Sequence, residues 1–369
     1  MRQTIMKVHM DALADNVRVI RENIPEKVRL MCVVKANAYG HDSIRATLKL
    51  WEAGADAFAV AIVEEARVLR NAGISCPILI LGGAGDGSLR EAVRIDASQA
   101  VYDLHMLDIL QDEARRKGKR AMAHLKIDTG MCRIGVRGED ALDEILEHWK
   151  ECPDVEMEGI FTHFCVADSD IEYTRMQNEV FKKAIAKVRA AGHDPIAHAA
   201  ATSAMMNPEF QHDMVRPGIG LYGLGVPQLA GKLRLAQQLT TRPVRIQKIR
   251  AGESVGYGRT YTAERDSVIM TLPIGYGDGY SRLLSNKAQV LVKGRRANIV
   301  GRVCMDMITA DVTDIPGVSM DDEVVVMGQQ GDECITPEEL AEMAQTIPYE
   351  IMLGFRARVT MEIVDRYRR

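Results

Sequence analysis

Residues 30–61 read LMCVVKANAYGHDSIRATLKLWEAGADAFAVA. Residues 30–34 form a short apolar run suited to a strand buried on both faces. Behind it Ile44, Leu48 and Trp51 recur at helical spacing up to a Gly54 stop, and a second apolar run, 57–61, follows. Strand, helix, strand in this order is the unit of a parallel sheet. Further runs at 77–81, 98–102, 121–127, 156–162, 196–200 and Met214–Val215 bring the strand candidates to eight. Helical spacing fills several of the remaining gaps: Leu13, Val17, Ile20 and Ile24 after an Asp11 N-cap, then Leu104, Leu107 and Leu110 up to Gly118, then Met176, Val180, Ala184 and Val188 up to Gly192. Eight such units predict a closed α/β (β/α)8 barrel, placed at residues 9–235.

From about Leu239 the texture changes to strand-like stretches broken by Gly and Asp, at 242–250, Ser267–Leu272, Gln289–Val292, 297–302, 308–312 and 323–327. They predict a mostly antiparallel, mostly β C-terminal domain with one helix at 337–345 behind a Thr336 N-cap. This domain takes residues 1–8 and 236–369; the opening strand, 3–8, can pair with either unit.

The whole chain of 369 residues is 47% hydrophobic and 27% charged, ordinary globular composition. A formal net charge of -4 offers no basic surplus for nucleic acid. The opening MRQTIMKVHMDALADN lacks an apolar signal core, and no run approaches the roughly 18–20 apolar residues of a membrane helix, so a cytoplasmic location with no membrane association is expected. Seven Cys without a C-x-x-C pair and nine His without H-E-x-x-H predict reduced thiols and no metal site.

Barrel enzymes keep their reactive groups where strands end. Lys35 follows the first run directly; such a lysine is either a desolvated amine able to form a Schiff base or a snorkelling strand-end residue. The fifth run leads into KIDTGMCRIG, with Lys126 on the strand and Arg133 beyond it; the sixth ends in THF with His163; the seventh in HAAATSA with His198, Thr202 and Ser203. The eighth runs into RPGIGLYG, where Gly218 and Ile219 offer backbone N–H groups beside the Ser203 hydroxyl, the usual phosphate cup of a barrel. A phosphorylated cofactor is the natural guest.

Together VVKANAYGH, KIDTGMCRIG, RPGIGLYG, GESVGYGRTY and CMD resemble the alanine racemase family of two-domain, pyridoxal phosphate (PLP) enzymes along nearly the whole chain. The resemblance implies that Lys35 binds pyridoxal 5'-phosphate covalently and serves as one acid/base, with Tyr257 as the other. It implies a homodimer whose active sites are shared, Tyr257 reaching the neighbouring subunit's site. Two bases suit racemisation, because a proton must leave one face of the α-carbon and return on the other. Arg216 corresponds to the arginine at the pyridine nitrogen; a guanidinium accepts no proton, which keeps the nitrogen neutral and the electron sink weak. The alternative for Arg216 is a surface ion pair. Arg133 corresponds to the substrate-carboxylate ligand, and Lys126 to a lysine often carbamylated, the plain strand residue being the alternative. The resemblance further implies that His163 packs by the ring, that Tyr39, Ser203, Gly218, Ile219 and Tyr349 surround the phosphate, that Met305 and Asp306 close the substrate pocket, and that Tyr261 and Tyr276 narrow the entrance. His198 is either a core histidine or, as in the family, a group that polarises Arg216.

The implied role is D-alanine supply for peptidoglycan. Three residues depart from the family pattern: Cys132 and Asp42 where glycine is usual, and Thr202 where asparagine is common. The rival readings are a serine or broad-specificity racemase, which Tyr349 disfavours, a decarboxylase, which wants a carboxylate where Arg216 stands, a non-catalytic PLP carrier, which has no use for Tyr257, and an inactive racemase relative.

Overall fold

The computed structural model describes residues 3–355 and 358–364. The chain divides into two compact units, one of Ala12–Ala38 and Asp42–Arg234, the other of Met1–Asp11, Tyr39–His41 and Leu235–Arg369. Parts of the predicted C-terminal domain, at 1–2, 356–357 and 365–369, lie outside the described residues.

In the first unit eight parallel strands pair in sequence: Arg29–Val33, Ala57–Val60, Ile78–Ile80, Ser98–Val101, Ala121–Lys126, Val155–Phe161, Ile196–His198 and Met214–Val215. Their short β-branched or alanine-rich runs are buried almost throughout, as a sheet covered on both faces requires. The last strand pairs with the first, and the gap to the seventh is bridged by N–H groups of Asp213 and Arg216 donating to Ala197 O (3.0 Å) and Ala200 O (2.8 Å). The barrel is therefore nearly closed. Side chains start its helices: Asp103 accepts from Met106 N (2.9 Å) and Asp170 from Tyr173 N (3.0 Å).

Two helical faces lie elsewhere than the spacing predicts. Helix Ser43–Glu52 buries Ala46, Thr47 and Leu50, leaving Leu48 and Trp51 exposed. Helix Ile171–Ala190 buries Thr174, Gln177, Asn178 and Phe181 where Met176 and Val180 are exposed, because polar side chains on the buried face find partners, as Gln177 does with Cys165 N at 3.1 Å. Asp11 is no N-cap either; the helix begins one residue earlier and runs Met10–Glu22.

The second unit is a ten-stranded, mostly antiparallel sheet. From one edge its strands are Arg245–Ile249, Ser267–Leu272, Ile308–Asp311, Arg295–Ile299, Gln289–Val292, Val324–Gln330, Gln237–Thr241, Ile5–His9 and Thr360–Val364, with Glu333–Ile335 on Val324–Gln330. The opening strand pairs antiparallel with Gln237–Thr241 and parallel with Thr360–Val364. Thr336 caps helix Pro337–Ala344 by accepting from Glu339 N at 3.1 Å, and a second helix, Pro348–Gly354, follows. Among the described residues no helix is long and apolar enough to cross a membrane.

Candidate active site

At the carboxyl end of the first barrel strand the backbone turns in an unusual way. Residues Ala36, Asn37, Ala38 and Tyr39 have φ of 53, 54, 53 and 54°, so Lys35–Gly40 forms one turn wound left-handed. Each L-residue held this way costs roughly 1–2 kcal/mol, so the turn persists only where its surroundings over-determine it. Glu65 supplies part of that: one carboxylate oxygen accepts from Ala36 N (2.5 Å) and the other from Ala61 N (2.7 Å). Asn37, whose type tolerates this conformation, accepts from Ser43 N at 2.8 Å. Next in the chain, Asp42 has φ 67° and caps the following helix through Arg45 N. Aspartate thus manages the glycine-like backbone and adds a cap.

The turn fixes Lys35 at the start of a cationic cluster. Burial, reinforced by Arg133, lowers the Lys35 amine, and Glu65 opposes this. Lys126 ends the fifth strand, buried, its Nζ 4.3 Å from the centre of the Phe161 ring; burial first, then Arg216 and Arg133, holds its amine far below the usual range. His163 is pushed down to about 3 by burial and by Arg216, Lys126, Arg133 and Lys35, so its imidazole is neutral. Arg216 is 3% exposed; its Nη1 donates to His198 Nδ1 (2.8 Å) and its Nη2 to Thr162 O (2.8 Å) and Ala199 O (2.9 Å). Burial draws this guanidinium down to about 9, while three acceptors favour its charged form. His198, fully buried, has its acidity set by burial and is neutral, which gives it both its core position and its contact with Arg216.

Arg133 stands exposed in a loop organised by Asp128, whose Oδ1 accepts from Gly130 N and Cys132 N, both at 3.0 Å. Cys132 has φ 55°, the conformation that glycine adopts without strain. On the loops after the seventh and eighth strands Ser203 is exposed, and Thr202 Oγ1 accepts from Gly218 N (2.9 Å) and Gly220 N (3.3 Å). The Gly218 N–H expected for a phosphate is therefore engaged by Thr202, the threonine tying the two loops together; Ile219 opens the short helix Ile219–Tyr222.

The other predicted site residues belong to the second unit. The Tyr39 and Tyr349 rings pack with centroids 5.8 Å apart, and burial pushes the Tyr39 phenol up. Tyr257 is 72% exposed on the turn Tyr257–Arg259, whose flanking strands Ser254–Val255 and Tyr261–Thr262 pair. Tyr261 donates to Asp311 Oδ2 at 3.2 Å. Tyr276 N donates to Cys304 O (3.0 Å) and Gly277 N to Met305 O (2.8 Å); a Cβ on Gly275 would lie 2.2 Å from Cys304 O, so only glycine fits. Met305 is exposed, and Asp306 pairs with Arg358 at 2.6 Å, which also pairs with buried Asp278 at 3.1 Å.

Residues 8–226 match the model of the alanine racemase N-terminal domain and residues 236–363 that of the C-terminal domain. The chain belongs to the alanine racemase family. It is 44% identical to the alanine racemase of Symbiobacterium thermophilum, over 97% of this chain and 96% of that one. It is 42% identical to alanine racemase 2 of Caldanaerobacter subterraneus subsp. tengcongensis, over 97% and 94%. Among solved structures, the Streptomyces lavendulae alanine racemase superposes with a TM-score of 0.93 at 31% identity, covering 100% of this chain and 98% of that one. The Bacillus anthracis alanine racemase with bound L-Ala-P gives 0.89 at 35%, covering 99% and 95%. The barrel followed by a mostly β domain is the family's architecture, and the chain is an enzyme of the isomerase class, an alanine racemase by family.

Proposed function

We propose that this racemase uses pyridoxal 5'-phosphate to interconvert L- and D-alanine by a two-base mechanism, in a homodimer where Lys35 of one subunit and Tyr257 of the partner subunit work on opposite faces of the substrate. The observation that carries the reading is the rim cluster: Lys35, Lys126, Arg133 and Arg216 around a neutral imidazole, His163. Such a donor set fits a guest carrying a phosphate and a carboxylate. When bound, PLP supplies the electron sink that weakens the substrate's α-C–H bond.

The chain's own groups supply the rest. Lys35 would hold the cofactor, and because burial and then Arg133 favour its neutral amine, its Nζ is better suited than an ordinary lysine to accept a proton. The exposed phenol of Tyr257 would give and take the proton on the other face. Arg133 would hold the substrate carboxylate with its planar fork, with Met305 and Asp306 closing that pocket and Tyr261 and Tyr276 at its mouth. Arg216, a donor at every N–H, would face the ring nitrogen without protonating it further, and His163 would pack by the ring. Ser203, Gly218, Ile219, Tyr39 and Tyr349 would surround the phosphate, with Thr202 competing for the Gly218 N–H. Lys126 is a buried amine whose protonated form is disfavoured by burial and by Arg216 and Arg133; adding carbon dioxide with loss of a proton would turn it into an anion there.

Alanine is preferred to serine in this reading because the Tyr349 ring, packed on Tyr39, leaves bulk where a hydroxymethyl group would need room. The family reading extends to D-alanine for peptidoglycan, made in the cytoplasm. Polarimetry with L-alanine and L-serine and added PLP tests it. Fast alanine turnover, abolished in Lys35→Ala and greatly slowed in both directions in Tyr257→Phe, is expected. Faster serine turnover would move the assignment to a broad-specificity racemase, and PLP binding without turnover would leave a carrier.

A further inference from the structure

Beneath Arg216 the barrel interior holds a line of polar side chains that the proposed chemistry does not use. His198 Nε2 lies 2.8 Å from His124 Nδ1, His124 Nε2 lies 3.1 Å from Glu158 Oε2, and Ser98 Oγ donates to the same carboxylate oxygen at 2.5 Å. His198 and His124 are 0% and 2% exposed. The direction of every bond follows from the top of the line. A guanidinium only donates, so His198 Nδ1 must carry a lone pair and its proton sits on Nε2. That proton goes to His124 Nδ1, which places the His124 proton on Nε2, donating to Glu158.

The backbone is shaped for this line. The pairing of the fifth and sixth strands shifts register so that Ala123 faces Met157 and His124 faces Gly159, leaving Glu158 as the extra residue of a bulge. A bulge re-aims a side chain, here toward Ser98 and His124. Gly159 makes room for the line as well: a Cβ there would lie 2.3 Å from His124 Nδ1. Glu158 borders a cavity of about 310 Å³ together with Arg29, Ala57, Ser98, Ile196 and Met214, each the first residue of its strand. The line therefore spans the barrel from its carboxyl rim to its amino-terminal mouth. None of the three direct partners of Arg216 is an anion; the carboxylate stands at the far end of the two imidazoles.

We propose that Glu158 is a remote positioning residue for the racemase: through His124 and His198, each locked as the Nε2–H tautomer, its carboxylate keeps a lone pair aimed at Arg216 and holds that guanidinium in place. The functional half of this inference rests on Arg216 facing the cofactor; the tautomer half does not. A Glu158→Leu change removes the acceptor for His124, whose proton can then move to Nδ1. His198 must answer by placing its own proton on Nδ1, against a guanidinium N–H. Glu158→Gln keeps an acceptor oxygen and removes the charge.

The test is ¹⁵N NMR of the histidine-labelled, unaltered holoenzyme, with the same measurement and alanine kinetics on the two variants. Both buried rings are expected as Nε2–H tautomers in the unaltered protein; a proton on Nδ1 of either, or a doubly protonated ring at neutral pH, overturns the proposal without any variant having to fold. In Glu158→Gln the tautomers should persist while kcat falls about tenfold or more at a KM within about twofold, the pattern of a lost orienting partner, and the absorption band of the bound cofactor should move. In Glu158→Leu the His124 proton should shift ring nitrogen. An unaltered enzyme that racemises alanine and a Glu158→Gln variant with the same kcat and spectrum would overturn the positioning role and leave the racemase reading intact; an unaltered enzyme without turnover but with both rings as Nε2–H would overturn the racemase reading and the positioning role built on it, and leave the tautomer line standing.

Discussion

The left-handed turn behind Lys35 inverts the usual effect of an alanine-to-glycine change. Ala36 is exposed with φ 53°, so replacing it removes almost no packing. Relief of the Cβ clash in this conformation is worth about 1–2 kcal/mol. Glycine gives back about 0.5–1 kcal/mol through its greater freedom in the unfolded chain. Ala36→Gly should therefore stabilise the protein by about 0–1.5 kcal/mol, the difference of the two, centred on ~0.75 kcal/mol. Ala186 is the control: it is also exposed, but lies on the right-handed helix Ile171–Ala190. There the same chemical change should destabilise by about 0.5–1 kcal/mol. Urea unfolding of the cofactor-free protein reads both as shifts of midpoint at constant slope. Midpoints that fall together in the two variants would refute the account of the turn as a strained element. Relief should also loosen the turn that holds Lys35, so kcat in Ala36→Gly should fall even as stability rises.

Cys132→Gly should likewise raise stability, by less than about 1 kcal/mol. Cys132 is exposed at φ 55°, and its sulfur accepts one hydrogen bond, from Arg137 Nη1 at 3.1 Å, whose removal offsets part of the relief; thermal unfolding reads the balance. Glu113 has a 0% exposed side chain that accepts from Arg116 and Arg94, and these bonds take its carboxyl from 4.5 to about 2. A depressed carboxyl stabilises the fold above its ordinary value and ceases to as pH falls through the folded one, so melting temperature should drop between pH 4.5 and about 2 and do so less in Glu113→Gln. Intact-protein mass spectrometry under carbon dioxide at mildly alkaline pH should show the mass of one carbon dioxide added to the unaltered protein and none to Lys126→Ala; no adduct under those conditions would leave Lys126 a plain amine.

The barrel was legible because its signal is local: eight apolar runs appear as strands within a residue or two of where the sequence places them. Lys35, Lys126, Arg133 and His163 follow from that, since they stand at or just beyond strand ends, and their mutual influence is what the strand ends of a barrel produce. Helix faces were less legible. In helix Ile171–Ala190 the buried stripe includes Gln177 and Asn178, polar residues whose burial depends on partners in other segments, invisible to a count of apolar spacing. The strand Gln237–Thr241 reads QQLTT and has no apolar run to announce it; its neighbours in the sheet make it a strand. The departures at Asp42 and Cys132 could be seen but not explained from sequence, because the reason is a positive φ. Glu158 lies inside the run 156–162 with nothing local to single it out, and a register shift turns it toward His124.

In a site assembled from Lys35, Lys126, Arg133 and Arg216, burial first and then like charge push Lys35, Lys126 and the neighbouring His163 toward neutrality. Arg133 lowers Lys35, Arg216 and Arg133 lower Lys126, and all four lower His163. Mutual repulsion of this kind is a reservoir that an anion can draw down, because a bound negative charge favours every protonated form at once. The cofactor-free protein should therefore be stabilised by inorganic phosphate beyond its effect as a salt. At a phosphate concentration one hundred times its dissociation constant the gain would be about 2.7 kcal/mol. The comparison that isolates it is melting temperature in phosphate against chloride at equal ionic strength, which screens long-range repulsion equally in both. Arg133→Ala should shrink the difference, having removed one contributor to the field on Lys35 and Lys126. Equal melting temperatures in the two salts would mean that the cluster does not act as one anion site, and the electrostatic basis for placing a phosphate and a carboxylate together at this rim would fail.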